Sequence, residues 1–129
     1  MRVLDASFLI DYLSGVEAAA QYLQQHADEQ FVAPAPVVAE VLVGEGNDPH
    51  GSVSEAKAGL SWVELVETRE NTALAAGSLA EEIGPQGPYL DGIDAIVAAV
   101  GKRLDSTVVS ADQDLTHPEV QSVISVDNY

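Results

Sequence analysis

Four acidic residues lie at positions where their carboxylates could act together. Asp5 and Asp112 each follow a short apolar strand, whereas Glu40 and Asp94 lie within apolar helical stretches. Closely packed carboxylates repel one another, which raises some of their pKa values unless a cation lies between them. With oxygen ligands and no Cys or His cluster, such a site favours Mg²⁺ or Mn²⁺ over Zn²⁺. A site of this kind activates water and stabilises the negative charge that grows on a phosphate, which is the chemistry of metal-dependent nucleases.

The stretch from residue 90 to residue 115 predicts the elements that position two of these acids. Its apolar residues repeat with the period of a helix: Ile93, Ile96, Val97, Val100 and Leu104. Asp94 lies at the edge of this stripe, so we expect it to be partly buried, which is costly for a carboxylate without a partner. A strand at 107–110 follows, and Asp112 emerges at its carboxyl end, where open parallel sheets bind ligands. Asp91 and Asp112 could each serve only as a helix or turn cap instead.

The beginning of the chain repeats this arrangement. A buried strand at 3–4 ends at Asp5, and a short helix is predicted at 6–13 with Ser7 as its N-cap. Asp5 therefore follows its strand in the same way that Asp112 follows the later one. A role in the cap or turn alone would also explain Asp5.

Glu40 is the only charge in a helix predicted at 37–44, which follows a strand at 31–33 and begins near Pro36. Apolar residues flank it on every face of the helix, so we expect its side chain to be buried. A lone buried glutamate must be paired, protonated or bound to a cation. We favour a role in the site, with a structural salt bridge as the alternative.

The order of the elements predicts the fold class. The remaining predicted elements are helices at 17–27, 53–60 and 70–83 and strands at 62–66 and 120–126, with a turn-rich loop at 44–52 and fraying at 127–129. Because strands alternate with helices, we expect one α/β domain over residues 1–129, with a short, mainly parallel sheet covered by helices on both faces. No apolar run is long enough to span a membrane, so we expect a cytoplasmic protein.

The charge of the chain is strongly negative. Its 21 acids outnumber its five basic residues, for a net charge of -16, which disfavours a polyanionic partner. A basic protein partner is one explanation, and the salt-rich cytoplasm of a halophile is the other. In about 1 M salt the Debye length falls to about 3 Å, so this repulsion would be largely screened. The acids are scattered along the whole chain, which favours the halophilic interpretation.

Three segments of the sequence resemble, in order and spacing, the acidic motifs of the PIN domain, and in particular the VapC-type toxin ribonucleases. They are VLDASFLIDYL, PAPVVAEVLVG and DAIVAAVGKRLDSTVVSADQDL. The resemblance implies a PIN-like fold and a metal-dependent endoribonuclease that acts as the toxin of a toxin–antitoxin pair. It also implies RNA as substrate, a small antitoxin protein as partner, and a homodimer.

The resemblance further implies which residues form the site. Catalytic, metal-binding carboxylates are implied at Asp5, Glu40, Asp94 and Asp112, with Mg²⁺ or Mn²⁺ as cofactor. Asp91 and Asp114 are possible auxiliaries, as are Ser7 and Ser110, which match the hydroxyl positions of the family. To contact RNA, the chain can use only Arg2, Lys57, Arg69, Lys102 and Arg103.

Other functions for such an acidic site fit the sequence less well. A phosphoacceptor receiver domain requires a lysine at the end of a late strand, and none follows TVVS or SVISV. A haloacid-type phosphatase requires Asp-x-Asp after the first strand, where this chain has Asp5-Ala6-Ser7. The remaining alternative is a catalytically inactive PIN-like module that binds RNA or protein, and the presence of all four acids argues against it.

Overall fold

The computed structural model describes residues 1–129 and contains one parallel sheet. Its strands are β1 (Arg2–Leu4), β2 (Phe31–Pro34), β3 (Glu64–Val66), β4 (Thr107–Val109) and β5 (Val126–Asp127). They lie in the order β3-β2-β1-β4-β5, and every neighbouring pair is parallel. The α/β fold class and the parallel sheet predicted from the sequence are confirmed.

Seven helices connect the strands. They are α1 (Ala6–Leu13), α2 (Glu17–Gln25), α3 (Ala35–Asn47), α4 (Val53–Gly59), α5 (Glu70–Ile83), α6 (Gly92–Arg103) and α7 (Pro118–Gln121), with a 3-10 turn at Gly84–Gln86. None of these helices combines the length and the apolar character that crossing a membrane requires. Helix α5 has the bounds predicted from the sequence, and its small residues pack against α6.

The strand order changes direction between β1 and β4. Strands β2 and β3 are added in turn on one side of β1, and β4 and β5 are then added in turn on its other side. Because parallel crossovers are right-handed, helices on the two sides of this change cover opposite faces of the sheet. Leu4 pairs with Val109 in the sheet, so Asp5 and Ser110 emerge side by side at its carboxyl edge. Ligands of open parallel sheets bind at such a switch point.

Helix α6 lies close against the centre of the sheet. Val97, Ala98 and Val100 on this helix are fully buried. Gly101 permits the close approach, because a Cβ atom at this position would lie 2.6 Å from Cγ2 of the buried Val108. The packing of α6 on the sheet therefore sets the distance between the sheet and the first turn of this helix, where Asp94 lies.

Two predicted segments have a different structure. The loop predicted at 44–52 begins later, because α3 continues through Gly44 and Gly46 to Asn47. The strand predicted at 120–126 is mostly helix α7 and a turn, and only β5 is extended. Pro118 in the first turn and His117, whose side chain accepts a hydrogen bond from the Glu119 backbone N–H at 3.1 Å, begin the helix at that point.

The predicted fraying of residues 127–129 is also wrong. Asp127 accepts hydrogen bonds from Arg2 at 2.5 Å and from the Tyr22 hydroxyl at 2.9 Å. The Tyr129 hydroxyl donates to Asp11 at 2.6 Å, and its ring packs edge-on against the ring of Phe8. Contacts with residues distant in sequence therefore hold this segment in place.

Candidate functional site

Asp5 is held by hydrogen bonds at the carboxyl end of β1. The residue is only 3% exposed and is the N-cap of α1, where it accepts the Phe8 backbone N–H at 2.9 Å. The predicted N-cap, Ser7, instead donates its hydroxyl to both Asp5 oxygens, at 2.8 and 2.9 Å. The buried Ser110 hydroxyl also donates to Asp5. These bonds fix the orientation of the carboxylate.

Asp112 occupies the equivalent region after β4. Its backbone N–H donates to the Ser110 hydroxyl at 2.9 Å, which links it to the partner of Asp5. Its Oδ1 atom accepts the backbone N–H groups of Asp114 at 2.8 Å and Leu115 at 3.3 Å. The cap role considered from the sequence is therefore present, and the bonds to Oδ1 orient the Asp112 carboxylate.

Asp94 reaches the same edge of the sheet from the first turn of α6. Asp91 is the N-cap of this helix and accepts the Asp94 backbone N–H at 2.8 Å, so its predicted role as a cap is observed. The Asp94 side chain accepts no hydrogen bond and forms no ion pair. The residue is half-buried, as its position at the edge of the apolar stripe predicts.

The acids converge in a cleft of about 230 Å³. The cleft is lined by Asp5, Ala6, Ser7, Ile10, Glu40, Asp91, Ile93, Asp94, Val97 and Asp112. One carboxylate oxygen from each of Asp94, Asp112 and Asp114 lies within 4.8 Å of the other two. Asp114, which the sequence suggested only as an auxiliary, thus belongs to the tightest group, and the Asp-x-Asp spacing after β4 was the available signal.

Glu40 lines the cleft but is not buried as predicted. Its side chain is exposed, and it makes neither an ion pair nor a hydrogen bond. The reason lies in α3, which carries more apolar residues than it buries, and Val43 on the same helix is 60% exposed. Apolar neighbours therefore did not identify the face of this helix that packs on the core. Of the four predicted carboxylate ligands, Glu40 is the only one that is exposed.

The electrostatics of the cleft are unfavourable for a set of bare carboxylates. Burial, together with the charges of Asp91, Asp112, Asp5 and Asp114, raises the pKa of Asp94 from 3.8 to about 7. Burial also raises the pKa of Asp5, although the hydrogen bonds from the neighbouring hydroxyls and backbone oppose this effect. No lysine or arginine forms an ion pair with an acid of the cleft.

The donor set fits a hard divalent cation. All the donors around the acidic group are carboxylate or hydroxyl oxygens, the chain has no Cys, and no His lines the cleft. Oxygen ligands in this number suit Mg²⁺ or Mn²⁺ better than Zn²⁺. A cation would also offset the burial and the repulsion that together raise the pKa of Asp94.

The basic residues do not line this cleft. Arg2, at the amino end of β1, forms ion pairs with Glu29 and Asp127. Arg69 pairs with Glu67, Lys102 pairs with Glu82, and Arg103 donates to Thr72. Lys57 has no acidic partner. Cations available to a polyanionic ligand are therefore scarce, as the composition predicted.

Comparisons with known proteins agree with this fold. The sequence model of the PIN domain matches residues 2–120. A comparison with curated proteins gives no significant match.

Several solved structures share the fold. VapBC2 from Rickettsia felis, bound to a DNA fragment from its promoter, has 15% identity and a TM-score of 0.79, covering 98% of this chain and 97% of that one. A toxin–antitoxin complex from Klebsiella pneumoniae has 22% identity and a TM-score of 0.75, covering 90% and 91%. VapC20 from Mycobacterium tuberculosis, a sarcin-ricin loop cleaving toxin, has 14% identity and a TM-score of 0.70, covering 90% and 93%. Identities this low show similarity of fold alone. Because the PIN domain model covers nearly the whole sequence, the chain belongs to the PIN domain family.

Proposed function

We propose that this chain is a metal-dependent endoribonuclease that hydrolyses RNA phosphodiester bonds. The observation that carries the proposal is the convergence of unpaired carboxylates at the switch point of the sheet, where Asp94, Asp112 and Asp114 offer oxygens within 4.8 Å of one another. Asp5 and Glu40 line the same cleft. These five residues would hold Mg²⁺ or Mn²⁺. When bound, the cation would supply activation of a water molecule and stabilisation of charge on the phosphate.

Asp5 and Asp94 have different roles in the proposed site. Asp5 is a fixed ligand, because Ser7, Phe8 and Ser110 hold both of its oxygens. Asp94 has no such bonds, and its raised pKa means that its carboxyl group exchanges a proton near neutral pH when no cation is present. Loss of that proton prepares Asp94 for cation binding, so metal affinity should rise with pH around neutrality.

The proposal extends to biological role and partners. The fold is shared with VapBC2 from Rickettsia felis and with a toxin–antitoxin complex from Klebsiella pneumoniae, which supports a VapC-type toxin with a small antitoxin partner. The similar VapC20 is a sarcin-ricin loop cleaving toxin, which supports RNA as the substrate. A homodimer in a salt-rich cytoplasm completes the proposal, and the charge of -16 is the observation that favours high salt.

Cleavage of total cellular RNA in about 1 M KCl tests the proposed activity, with the salt chosen to screen the charge of the chain. The parent, Asp94→Asn and Glu81→Gln would each be incubated with Mg²⁺, Mn²⁺ or EDTA. Glu81 is the matched control, because it is an exposed acid on α5 that takes part in no hydrogen bond or ion pair. We expect discrete fragments only with metal, and only from the parent and Glu81→Gln. RNA left intact by folded, metal-loaded parent protein would refute the nuclease and favour the binding module.

A further inference from the structure

We propose that Tyr129 is a positioning residue of the site, which holds the first turn of α1 so that Asp5 keeps its orientation. The inference rests on the proposed function, since Asp5 acts as a ligand only in that account. Tyr129 is distant from Asp5 in the sequence and does not line the cleft. Its effect must therefore pass through the helix that Asp5 caps.

The orientation of Asp5 depends on the first turn of α1. Ser7 donates to both oxygens of Asp5, and the Phe8 backbone N–H donates to Oδ1 at 2.9 Å. The only other hydrogen bond to this carboxylate comes from Ser110, after β4. A shift of the first turn of α1 would therefore break most of the hydrogen bonds that hold Asp5.

Tyr129 contacts α1 at two points, one in its first turn and one a turn later. Its ring meets the ring of Phe8 edge-on, with centroids 4.8 Å apart and planes at 75°. Its hydroxyl donates to Oδ2 of Asp11 at 2.6 Å. Asp11 lies one helical turn after Ser7 and Phe8, so all three face the same side of α1. Tyr129 thus supports the side of the helix that supplies the hydrogen-bond donors of Asp5.

The hydroxyl of Tyr129 remains a donor under ordinary conditions. Burial and the hydrogen bond to Asp11 raise the pKa of Tyr129, while the nearby Ser7 hydroxyl has a smaller, opposing effect. A protonated phenol that donates to Asp11 has no second proton to offer. The Ser7 hydroxyl donates to the two Asp5 oxygens.

Strand β5 fixes Tyr129 in turn. Val109 pairs with Asp127 in the sheet, and Asp127 also accepts hydrogen bonds from Arg2 and Tyr22. Tyr129 follows this anchored residue by two positions. The edge strand thus connects the Arg2 network to the first turn of α1, and through that turn to the site.

Amide hydrogen exchange of Phe8 measures the effect directly. The Phe8 N–H belongs to the first turn of a helix, so its acceptor is the Asp5 carboxylate rather than a helical carbonyl. The exchange rate would be compared in the parent, Tyr129→Ala, Tyr129→Phe and Tyr12→Ala at a temperature where all are folded. Tyr12 is the matched control, because it is a half-buried tyrosine on the same helix that packs against Trp62 instead.

We expect Tyr129→Ala to speed exchange of the Phe8 amide by about tenfold or more, because the first turn of α1 should then open by itself, without unfolding of the rest of the protein. Loss of a supporting residue should also lower kcat for RNA by about tenfold or more, with little change in KM. Tyr129→Phe keeps the ring and loses one hydrogen bond, so its loss in kcat should be about threefold. Tyr12→Ala should match the parent in both measurements.

Parental Phe8 exchange in Tyr129→Ala would overturn the inference, and so would equal effects of Tyr129→Ala and Tyr12→Ala, which would indicate general destabilisation. If Tyr129→Ala does not fold, Tyr129→Phe provides the test. A kcat equal to that of the parent in this variant would show that the Tyr129 hydroxyl does not position the site. A parent protein that binds metal without cleaving RNA would refute the proposed function. The exchange of Phe8 would still decide whether Tyr129 positions the turn.

Discussion

Replacement of Asp94 by asparagine should stabilise the metal-free protein at neutral and alkaline pH. In the folded protein the pKa of Asp94 is about 7, compared with an ordinary value of 3.8. The folded state therefore binds a proton more readily than the unfolded state does. As pH rises between these two values, the folded state loses this advantage and the free energy of unfolding decreases.

The size of the effect follows from the difference between the two pKa values. One pKa unit corresponds to about 1.36 kcal/mol, so a fully buried group would cost about 4 kcal/mol above neutral pH. Asp94 is only half-buried, and solvent screening reduces the expected cost to about 1–2 kcal/mol. For a chain of this length that free energy corresponds to about 3–8 °C in Tm. The Asp94→Asn variant has no charge at this position, so its folded state should not carry this cost.

Urea unfolding in EDTA would measure the effect, with Asp94→Asn compared against the parent and Glu81→Gln. At about pH 8 Asp94→Asn should be the most stable of the three proteins. At about pH 5 its advantage over the parent should fall to less than half, because most of the pH range between the two pKa values of Asp94 lies above pH 5. Mg²⁺ should stabilise the parent at pH 8 far more than Asp94→Asn. An Asp94→Asn variant that is no more stable than Glu81→Gln at pH 8 would refute the reasoning.

Three further predictions concern packing, substrate contact and salt. Gly101→Ala should lower the free energy of unfolding by about 1–3 kcal/mol, because the new Cβ would collide with Val108. Gly77→Ala on α5, where nothing lies within 4 Å of the new Cβ, should raise it by about 0.5–1 kcal/mol. Thermal unfolding of both variants tests this contrast. Tyr89 is 96% exposed and lies two residues before Asp91, where its ring could stack on a base of single-stranded RNA. Tyr89→Ala should then weaken RNA binding by about tenfold, whereas Tyr89→Phe should bind like the parent. A fluorescence anisotropy titration measures both affinities. Raising KCl from about 0.1 M to about 1 M should increase both Tm and RNA affinity as repulsion is screened, and an affinity that falls steadily with salt would contradict the halophilic interpretation.

The sequence predicted the part of the site that depends on sheet topology. Asp5 and Asp112 follow apolar strands, and parallel pairing alone brings such positions to one edge. The partial burial of Asp94 was predictable because the residue lies at the edge of the apolar repeat of α6, although this helix also buries Ala95, Ala98 and Ala99 outside that repeat. The chemistry of the donor set was likewise visible in the residue types.

Other features depended on information that local sequence does not carry. The predicted burial of Glu40 was wrong because α3 is apolar on more sides than it buries. Residues 120–126 are rich in valine, but Pro118 and the His117 cap begin a helix there and leave only two residues extended. The order of Tyr129 depends on Phe8 and Asp11, more than a hundred residues earlier in the chain. Only the tertiary fold brings those residues together.

The central claim is that the carboxylates at the switch point hold a divalent cation. Anomalous diffraction from crystals grown with Mn²⁺ tests it most directly, because the scattering locates the ion without reference to activity. The account predicts a peak within about 2.3 Å of oxygens from Asp94 and Asp112, with Asp114, Asp5 or Glu40 completing the protein ligands, and no peak at this position in Asp94→Asn crystals. Saturating Mn²⁺ with no peak in the cleft, or with a peak held by other residues, would contradict it.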